Sequence, residues 1–247
     1  MIADRLGLLH DVADAVAAAM RTVTDWGPSG RRDGQYALDV AADEAALAVL
    51  DRAGVGALSE ESGFNPGTSS EMVVIDPIDG STNASRGVPW FATSLCLVDA
   101  DGPAAAVVVN QANGVRYTAE RGGGAWRGER RLRPSGCAEL SQAIVVVSSV
   151  PPADVGWAQF RALGACALDL CAVADGVVDG FVDFGRDQHG VWDYLGGWLI
   201  CREAGVDVVD AFGREMVHND HAARRTPLAA ATPELAAALL DVRRRSA

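Results

Sequence analysis

Apolar residues at helical spacing open the chain. Residues 4–23 and 39–53 carry Ala, Val and Leu three or four positions apart, which predicts two helices, the second ended by Gly54. The segment 24–36 between them is rich in Gly, Pro and Asp, and it predicts a loop. The chain is therefore expected to begin with a pair of helices.

Short apolar runs separated by turn residues follow, and this pattern is typical of strands. The predicted strands cover 54–58, 72–75, 91–98, 104–110, 143–150, 180–184 and 226–231, with a hairpin over 115–135 and a polar loop over 64–71. Helices are predicted again over 164–175 and 191–204, and a closing helix takes Thr232 as its N-cap and Pro233 as its first residue.

This order of elements predicts the fold class. Helices, then strands, then helices and strands again indicate a layered α/β sandwich. The length of 247 residues fits one domain, with an N-terminal α+β part to about residue 140 and a C-terminal α/β part from about 141. No internal repeat interrupts it.

The charged residues exclude several kinds of chemistry. All 21 basic residues are Arg, so neither a Schiff-base Lys nor the Lys of a Walker phosphate loop is available. The net charge of −12 argues against a nucleic-acid or anionic-membrane surface, and the Arg-rich segment 127–133 is interpreted as a solvated turn. The glycines of 122–128 lack the strand and helix that a dinucleotide-binding loop needs, which disfavours an oxidoreductase.

The cysteines and the apolar runs point to a cellular compartment. The five cysteines are widely spaced and form no CxxC pair, so they are interpreted as core residues of a reducing environment. Neither a signal peptide nor a run of about 18 apolar residues is found. The sequence therefore predicts a cytoplasmic protein with no membrane partner.

The candidate chemistry is concentrated in VVIDPIDGSTN, residues 73–83. Asp76 ends an apolar strand, Pro77 turns the chain, and Asp79 follows before Gly80 and Ser81. Free N–H groups at a helix start favour an anion, whereas two carboxylates repel one. A divalent cation resolves this conflict, because carboxylates bind Mg²⁺ and Mg²⁺ binds phosphate.

Two further acidic positions support this interpretation. Glu60 and Glu61 follow a predicted strand, and Asp193 lies in the first turn of a predicted helix. Taken alone, the Glu pair is interpreted more simply as a solvated turn and Asp193 as a helix-dipole contact. The simpler alternative for Asp76 and Asp79 is that they cap a helix. Gly196 and Gly197 cost roughly 1 kcal/mol each inside a helix, so they indicate close packing of that helix against another backbone.

Together the segments SEESG, DPIDGSTN and WDYLGGWLICREAG resemble the signatures of the inositol monophosphatase family of Mg²⁺-dependent, lithium-sensitive phosphatases. The resemblance covers most of residues 36–210 and implies an αβαβα sandwich. It also implies two or three Mg²⁺ ions per site. Glu60, Asp76 and the Ile78 carbonyl would bind the first, and Asp76, Asp79 and Asp193 the second.

The resemblance assigns further roles around these ions. Ser81, which stands where the family has Thr, would orient and deprotonate the attacking water together with Glu60. The N–H groups of Gly80 and Ser81 would hold the phosphate, while Asp43 would support a third metal position. Gly164, Ala165 and Asp193 would line the substrate pocket.

The substrate stays open at this stage. Arg186 occupies a place where inositol-preferring members carry Glu, and it suits a second phosphate or a carboxylate, unless it is an ordinary exposed Arg. Inositol monophosphate, fructose 1,6-bisphosphate, histidinol phosphate and a 3′-phosphonucleotide are the candidate phosphate monoesters. A non-catalytic protein that binds metal and a phosphorylated metabolite is the alternative from another class. A homodimer is an expectation from the family alone.

Overall fold

The computed structural model describes residues 2, 4–24, 26–31 and 35–245, so residues 25 and 32–34 of the predicted loop lie outside the described residues. The helices are α1 (Arg5–Met20), α2 (Ala37–Ala53), α3 (Ser81–Arg86), α4 (Cys166–Ala174), α5 (Val191–Ala204) and α6 (Pro233–Arg245). The strands are β1 (Gly56–Ser59), β2 (Gly63–Asn65), β3 (Met72–Asp79), β4 (Ala92–Asp99), β5 (Gly102–Asn110), β6 (Arg116–Glu120), β7 (Gly124–Arg127), β8 (Arg130–Arg131), β9 (Ile144–Ser148), β10 (Gln159–Arg161), β11 (Gly180–Asp183), β12 (Val208–Asp210) and β13 (Pro227–Ala230).

The strands form two sheets. The first has the order β2-β1-β3-β4-β5-β6-β7-β8, and the second has the order β10-β9-β11-β13-β12. In the larger sheet β1 and β3 are parallel, whereas β3 to β8 run antiparallel to their neighbours. The larger sheet ends at residue 131 and the smaller sheet begins at residue 144.

Alternating side chains place helices on both faces of the larger sheet. Val73 and Ile75 of β3 pack with α1 and α2, whereas Val74 between them packs with α4 and α5. Phe181 of β11 closes the other side of that middle helical layer, and Val182 faces α6. The layers are therefore helix, sheet, helix, sheet, helix, which confirms the predicted αβαβα sandwich.

The sequence prediction missed the shortest elements. The strand β2 begins the segment that was predicted as a polar loop, and β10 and β12 were not predicted. Each has three residues, and all three side chains of β10 are exposed, so no periodic apolar pattern marks them. The chain between Ser148 and Cys166, all of it described, contains β10 and no helix.

The closing helix begins as predicted, because Thr232 Oγ1 accepts a hydrogen bond from Leu235 N at 3.3 Å. Within the described part of the chain, no helix is both long and apolar enough to span a bilayer.

Candidate metal centre and active site

Parallel pairing of β1 and β3 brings two acidic residues side by side. Ser59 lies opposite Ile75 in the register, and Glu60 N donates to Ile75 O at 3.1 Å. The next residue on each strand is therefore Glu60 on one and Asp76 on the other. Glu61 instead accepts a hydrogen bond from Gln35 Nε2.

An irregularity in β3 separates the directions of Asp76 and Asp79. Asp76 pairs with Ser94 and Asp79 with Ala92, so three steps on β3 match two on β4. Pro77 has no N–H to give the ladder, and its carbonyl accepts from Thr93 Oγ1 at 2.9 Å. The sequence prediction that Pro77 turns the chain after Asp76 matches this register shift.

The helix α5 supplies the third carboxylate. Gly190 N donates to Asp193 Oδ2 at 2.6 Å, which fixes Asp193 in the first turn. A Cβ on Gly196 would lie 2.8 Å from Ser94 Oγ, and one on Gly197 would lie 2.8 Å from Leu170 Cβ. The two glycines therefore let α5 lie close to β4 and α4, as their cost in a helix predicted.

Three carboxylates converge on one point. Glu60, Asp76 and Asp193 each offer an oxygen, and these oxygens lie within 4.8 Å of one another. Asp76 is 1% exposed, and its Oδ1 has no hydrogen-bond partner among the described residues. Burial, together with the charges of Glu60, Asp79 and Asp193, raises the pKa of Asp76 well above its usual value. An all-oxygen donor set with a buried unpartnered oxygen fits a hard divalent cation such as Mg²⁺.

Asp79 lies outside this group of three carboxylates. Cys166 N and Ala167 N donate to its two oxygens at 3.2 and 2.7 Å, so the N-terminus of α4 holds the carboxylate. Burial and the charge of Asp193 raise the pKa of Asp79 well above its usual value. The resemblance expected Asp79 in the second metal site, and the structure places it beside that site, turned towards α4.

Ser81 meets a residue that the sequence analysis did not single out. Its Oγ lies 2.6 Å from Asp39 Oδ1 and 2.8 Å from Ile78 O, and its single proton serves one of them at a time. Asp39 Oδ2 accepts from Tyr36 N at 2.8 Å, which orients the carboxylate. Asp43, the residue expected to serve the site, instead accepts from Ser59 Oγ at 2.5 Å. The carboxylate of α2 that reaches Ser81 is therefore Asp39.

Gly80 permits the close approach at the expected phosphate and substrate positions. Its φ is +87°, and a Cβ there would lie 3.0 Å from Gly164 O and 3.2 Å from the Ala165 Cβ. Asn83 Nδ2 donates to Trp90 O and to Leu163 O, at 2.7 Å each, which ties this segment to α3. The structure thus brings Gly80, Gly164 and Ala165 together, as the resemblance implies.

Arg186 and His189 lie in the loop before α5. The Arg186 side chain is 75% exposed, and its guanidinium stacks 4.9 Å from the Phe212 ring. His189 lies between Asp183 and Asp193, at 3.6 and 3.7 Å. Burial lowers the pKa of His189, but Asp193 and Asp183 outweigh it and the pKa is raised. His189 is therefore a neighbour of the acidic group, whereas Arg186 packs on a surface ring.

Asp169 in the first turn of α4 gives a pH prediction. Burial raises its pKa to about 7, although the hydrogen bond from Trp90 Nε1, at 2.8 Å, lowers it. The folded state therefore keeps a proton that the unfolded chain releases near pH 4, and stability falls as pH rises from about 4 through about 7. Asp169→Asn removes this titration, so the loss of unfolding free energy between low and high pH is expected to be smaller by a few kcal/mol. Urea unfolding at pH 5 and pH 8 without metal measures it. Asp101→Asn, at an exposed position, is the control. The same change in unfolding free energy between pH 5 and pH 8 in wild type and Asp169→Asn would contradict the prediction.

Comparisons with known proteins agree with the resemblance seen in the sequence. The model of the inositol monophosphatase family matches residues 11–246. The chain is 35% identical to the inositol-1-monophosphatase of Mesorhizobium japonicum over 87% of this chain and 90% of that protein. It is 30% identical to the fructose-1,6-bisphosphatase/inositol-1-monophosphatase of Archaeoglobus fulgidus over 86% and 87%. The solved extragenic suppressor protein SuhB of Bartonella henselae superposes with a TM-score of 0.82 at 28% identity, over 97% and 98% of the chains.

Proposed function

The chain belongs to the inositol monophosphatase family, and from this membership we propose that it hydrolyses a small-molecule phosphate monoester with Mg²⁺ at the acidic group. The observation that carries the proposal is the buried carboxylate of Asp76, whose Oδ1 has no hydrogen-bond partner in the described part of the chain and which lies close to Glu60 and Asp193. Such a group is costly without a cation. With one, it becomes a catalytic centre for a reaction that is very slow uncatalysed.

The residues around the acidic group have different roles in the proposed reaction. Bound Mg²⁺ would lower the pKa of a water molecule and offset the charge of the phosphate. Glu60 accepts the proton of the attacking water. Ser81 donates a hydrogen bond to Asp39, so its oxygen would be free to accept a hydrogen bond from that water, and the Ile78 carbonyl would be free to bind the cation. The Gly80 and Ser81 N–H groups would bind the phosphate, and Asp79 holds the start of α4 by accepting from Ala167 N.

The test is phosphate release with and without Mg²⁺. The panel holds inositol 1-phosphate and fructose 1,6-bisphosphate, which the names of the relatives suggest, together with histidinol phosphate and a 3′-phosphonucleotide. Release that needs Mg²⁺ supports the proposal. Mg²⁺ binding without release from any of these compounds would favour the alternative, a protein that binds metal and metabolite without turnover. The free thiols of all five cysteines favour a reducing compartment such as the cytoplasm, and a homodimer stays a prediction.

Arg186→Glu tests substrate preference. If Arg186 leaves Phe212 to contact a second phosphate, its loss removes an exposed ion pair of about 1 kcal/mol. The kcat/KM for fructose 1,6-bisphosphate is then expected to fall about fivefold, with no fall for inositol 1-phosphate. Arg133→Glu, an exposed charge reversal in the 127–133 segment, is the matched control. Unchanged kcat/KM for every substrate would remove Arg186 from the substrate site.

A further inference from the structure

Two of the three converging carboxylates lie on elements of different layers. Glu60 follows β1 in the larger sheet, whereas Asp193 begins α5 in the middle helical layer. Like charges within 4.8 Å repel one another, so their separation depends on what holds the two backbones. A contact that joins the residue before Glu60 to the residue before Asp193 would set that separation.

His221 makes such a contact. It lies in the loop 211–226, which joins β12 to β13. Its Nε2 lies 3.1 Å from Ser59 O, and its ring centroid lies 4.5 Å from that of Trp192, at an interplanar angle of 35°. Since a carbonyl oxygen only accepts, Nε2 carries the hydrogen and donates it to Ser59. One side chain from a third segment thus touches the neighbours of both acidic residues.

Each end of this contact is reinforced. The other polar group of Ser59, its Oγ, donates to Asp43 at 2.5 Å, so Ser59 is held from two sides. The Arg224 guanidinium stacks 4.9 Å from the Trp192 ring, and its Nη1 donates to His221 O at 2.8 Å. These bonds fix the loop against Trp192 and leave His221 few alternative positions.

We propose that His221 is a positioning residue that sets the spacing of Glu60 and Asp193, and with it the preference of the site for Mg²⁺ over Ca²⁺. Mg²⁺ demands near-ideal octahedral geometry at 2.0–2.1 Å, whereas Ca²⁺ accepts looser sets at 2.3–2.6 Å. A site in which Glu60 and Asp193 are held at a fixed separation favours Mg²⁺, the ion with the stricter geometry. This inference rests on the proposed metal-dependent function.

Two substitutions separate the two contacts of His221. His221→Phe keeps a ring against Trp192 and loses the donor to Ser59, whereas His221→Gln keeps an N–H donor and loses the ring. Calorimetric titration of the full chain with Mg²⁺ and with Ca²⁺ gives the dissociation constants. His221→Phe and His221→Gln each keep only one end of the contact, so each is expected to raise the Mg²⁺ dissociation constant about tenfold and the Ca²⁺ constant less. His10→Phe, on α1, is the matched control, since His10 contacts Arg116.

The outcomes distinguish this inference from the proposed function. Wild-type protein that binds no Mg²⁺ would overturn both. Wild-type binding with an unchanged Mg²⁺ to Ca²⁺ ratio in His221→Phe would overturn the role of His221 alone. Wild-type Mg²⁺ affinity in either variant would also overturn it, because one contact alone does not join Ser59 to Trp192. Thermal unfolding without metal checks that both variants are folded.

Discussion

Asp76→Asn is expected to abolish phosphate release while leaving the protein folded. Asp76 is the most buried member of the acidic group, and one of its oxygens lies within 4.8 Å of oxygens of Glu60 and Asp193. An Asn keeps the shape of the side chain but removes the negative charge and one acceptor oxygen. Since bound Mg²⁺ contributes several kcal/mol to transition-state stabilisation, its loss is expected to lower kcat roughly 10³-fold.

The same substitution is expected to stabilise the metal-free protein. Burial and neighbouring carboxylates raise the pKa of Asp76, so its charged form destabilises the folded state at neutral pH. The midpoint of thermal unfolding without metal should therefore rise in Asp76→Asn. Added Mg²⁺ should raise the midpoint of the wild type and not that of the variant.

Asp101→Asn provides the control for both measurements, because this Asp is 86% exposed and lies outside the acidic group. It is expected to behave as wild type. Activity of Asp76→Asn within tenfold of wild type would contradict the assignment of Asp76 as a metal ligand. A variant that is inactive and also unfolded without metal would contradict the stability argument.

The acidic group could be predicted from the sequence because each of its residues lies in a short, recognisable sequence pattern. Glu60 and Asp76 each follow a short apolar run, and the parallel pairing of these runs places the two residues side by side. The prediction that Asp76 ends its strand was wrong, because β3 continues through a register shift to Asp79. The cost of the two glycines inside α5 predicted close packing, and their contacts with Ser94 and Leu170 confirm it. The order of elements predicted a layered α/β sandwich, whereas the αβαβα order of the layers was implied by the family resemblance, and the fold confirms both.

Contacts between distant segments could not be predicted in this way. Asp39 and Asp43 lie one helical turn apart on α2, so spacing alone does not tell which of them reaches Ser81. Asp79 receives two N–H groups from residues 87 and 88 positions later, and no local pattern encodes that pairing. His221 and Arg186 lie in loops whose paths depend on Trp192 and Phe212.

Ser81→Ala is expected to lower kcat about 10²-fold with little change in Mg²⁺ affinity. The hydroxyl lies 2.6 Å from Asp39 and accepts from the attacking water in the proposed reaction, which is the geometry of acid–base assistance. Asp39→Asn should lower kcat to a similar extent, because a neutral amide accepts the hydrogen bond of the Ser81 hydroxyl less strongly than a carboxylate does. Steady-state kinetics at saturating Mg²⁺, with calorimetric Mg²⁺ titration alongside, separates this effect from loss of metal.

The double variant decides whether Ser81 and Asp39 act as one unit. If Asp39 works only through the Ser81 hydroxyl, then removing both costs no more than removing Ser81 alone, whereas independent roles would multiply the two losses. Asp51→Asn is the matched control on the same helix, since Asp51 is exposed and lies outside the acidic group. It should leave the kcat of the Ser81→Ala protein unchanged, while a fully multiplicative loss in Asp39→Asn with Ser81→Ala would show that Asp39 acts on the site by another route.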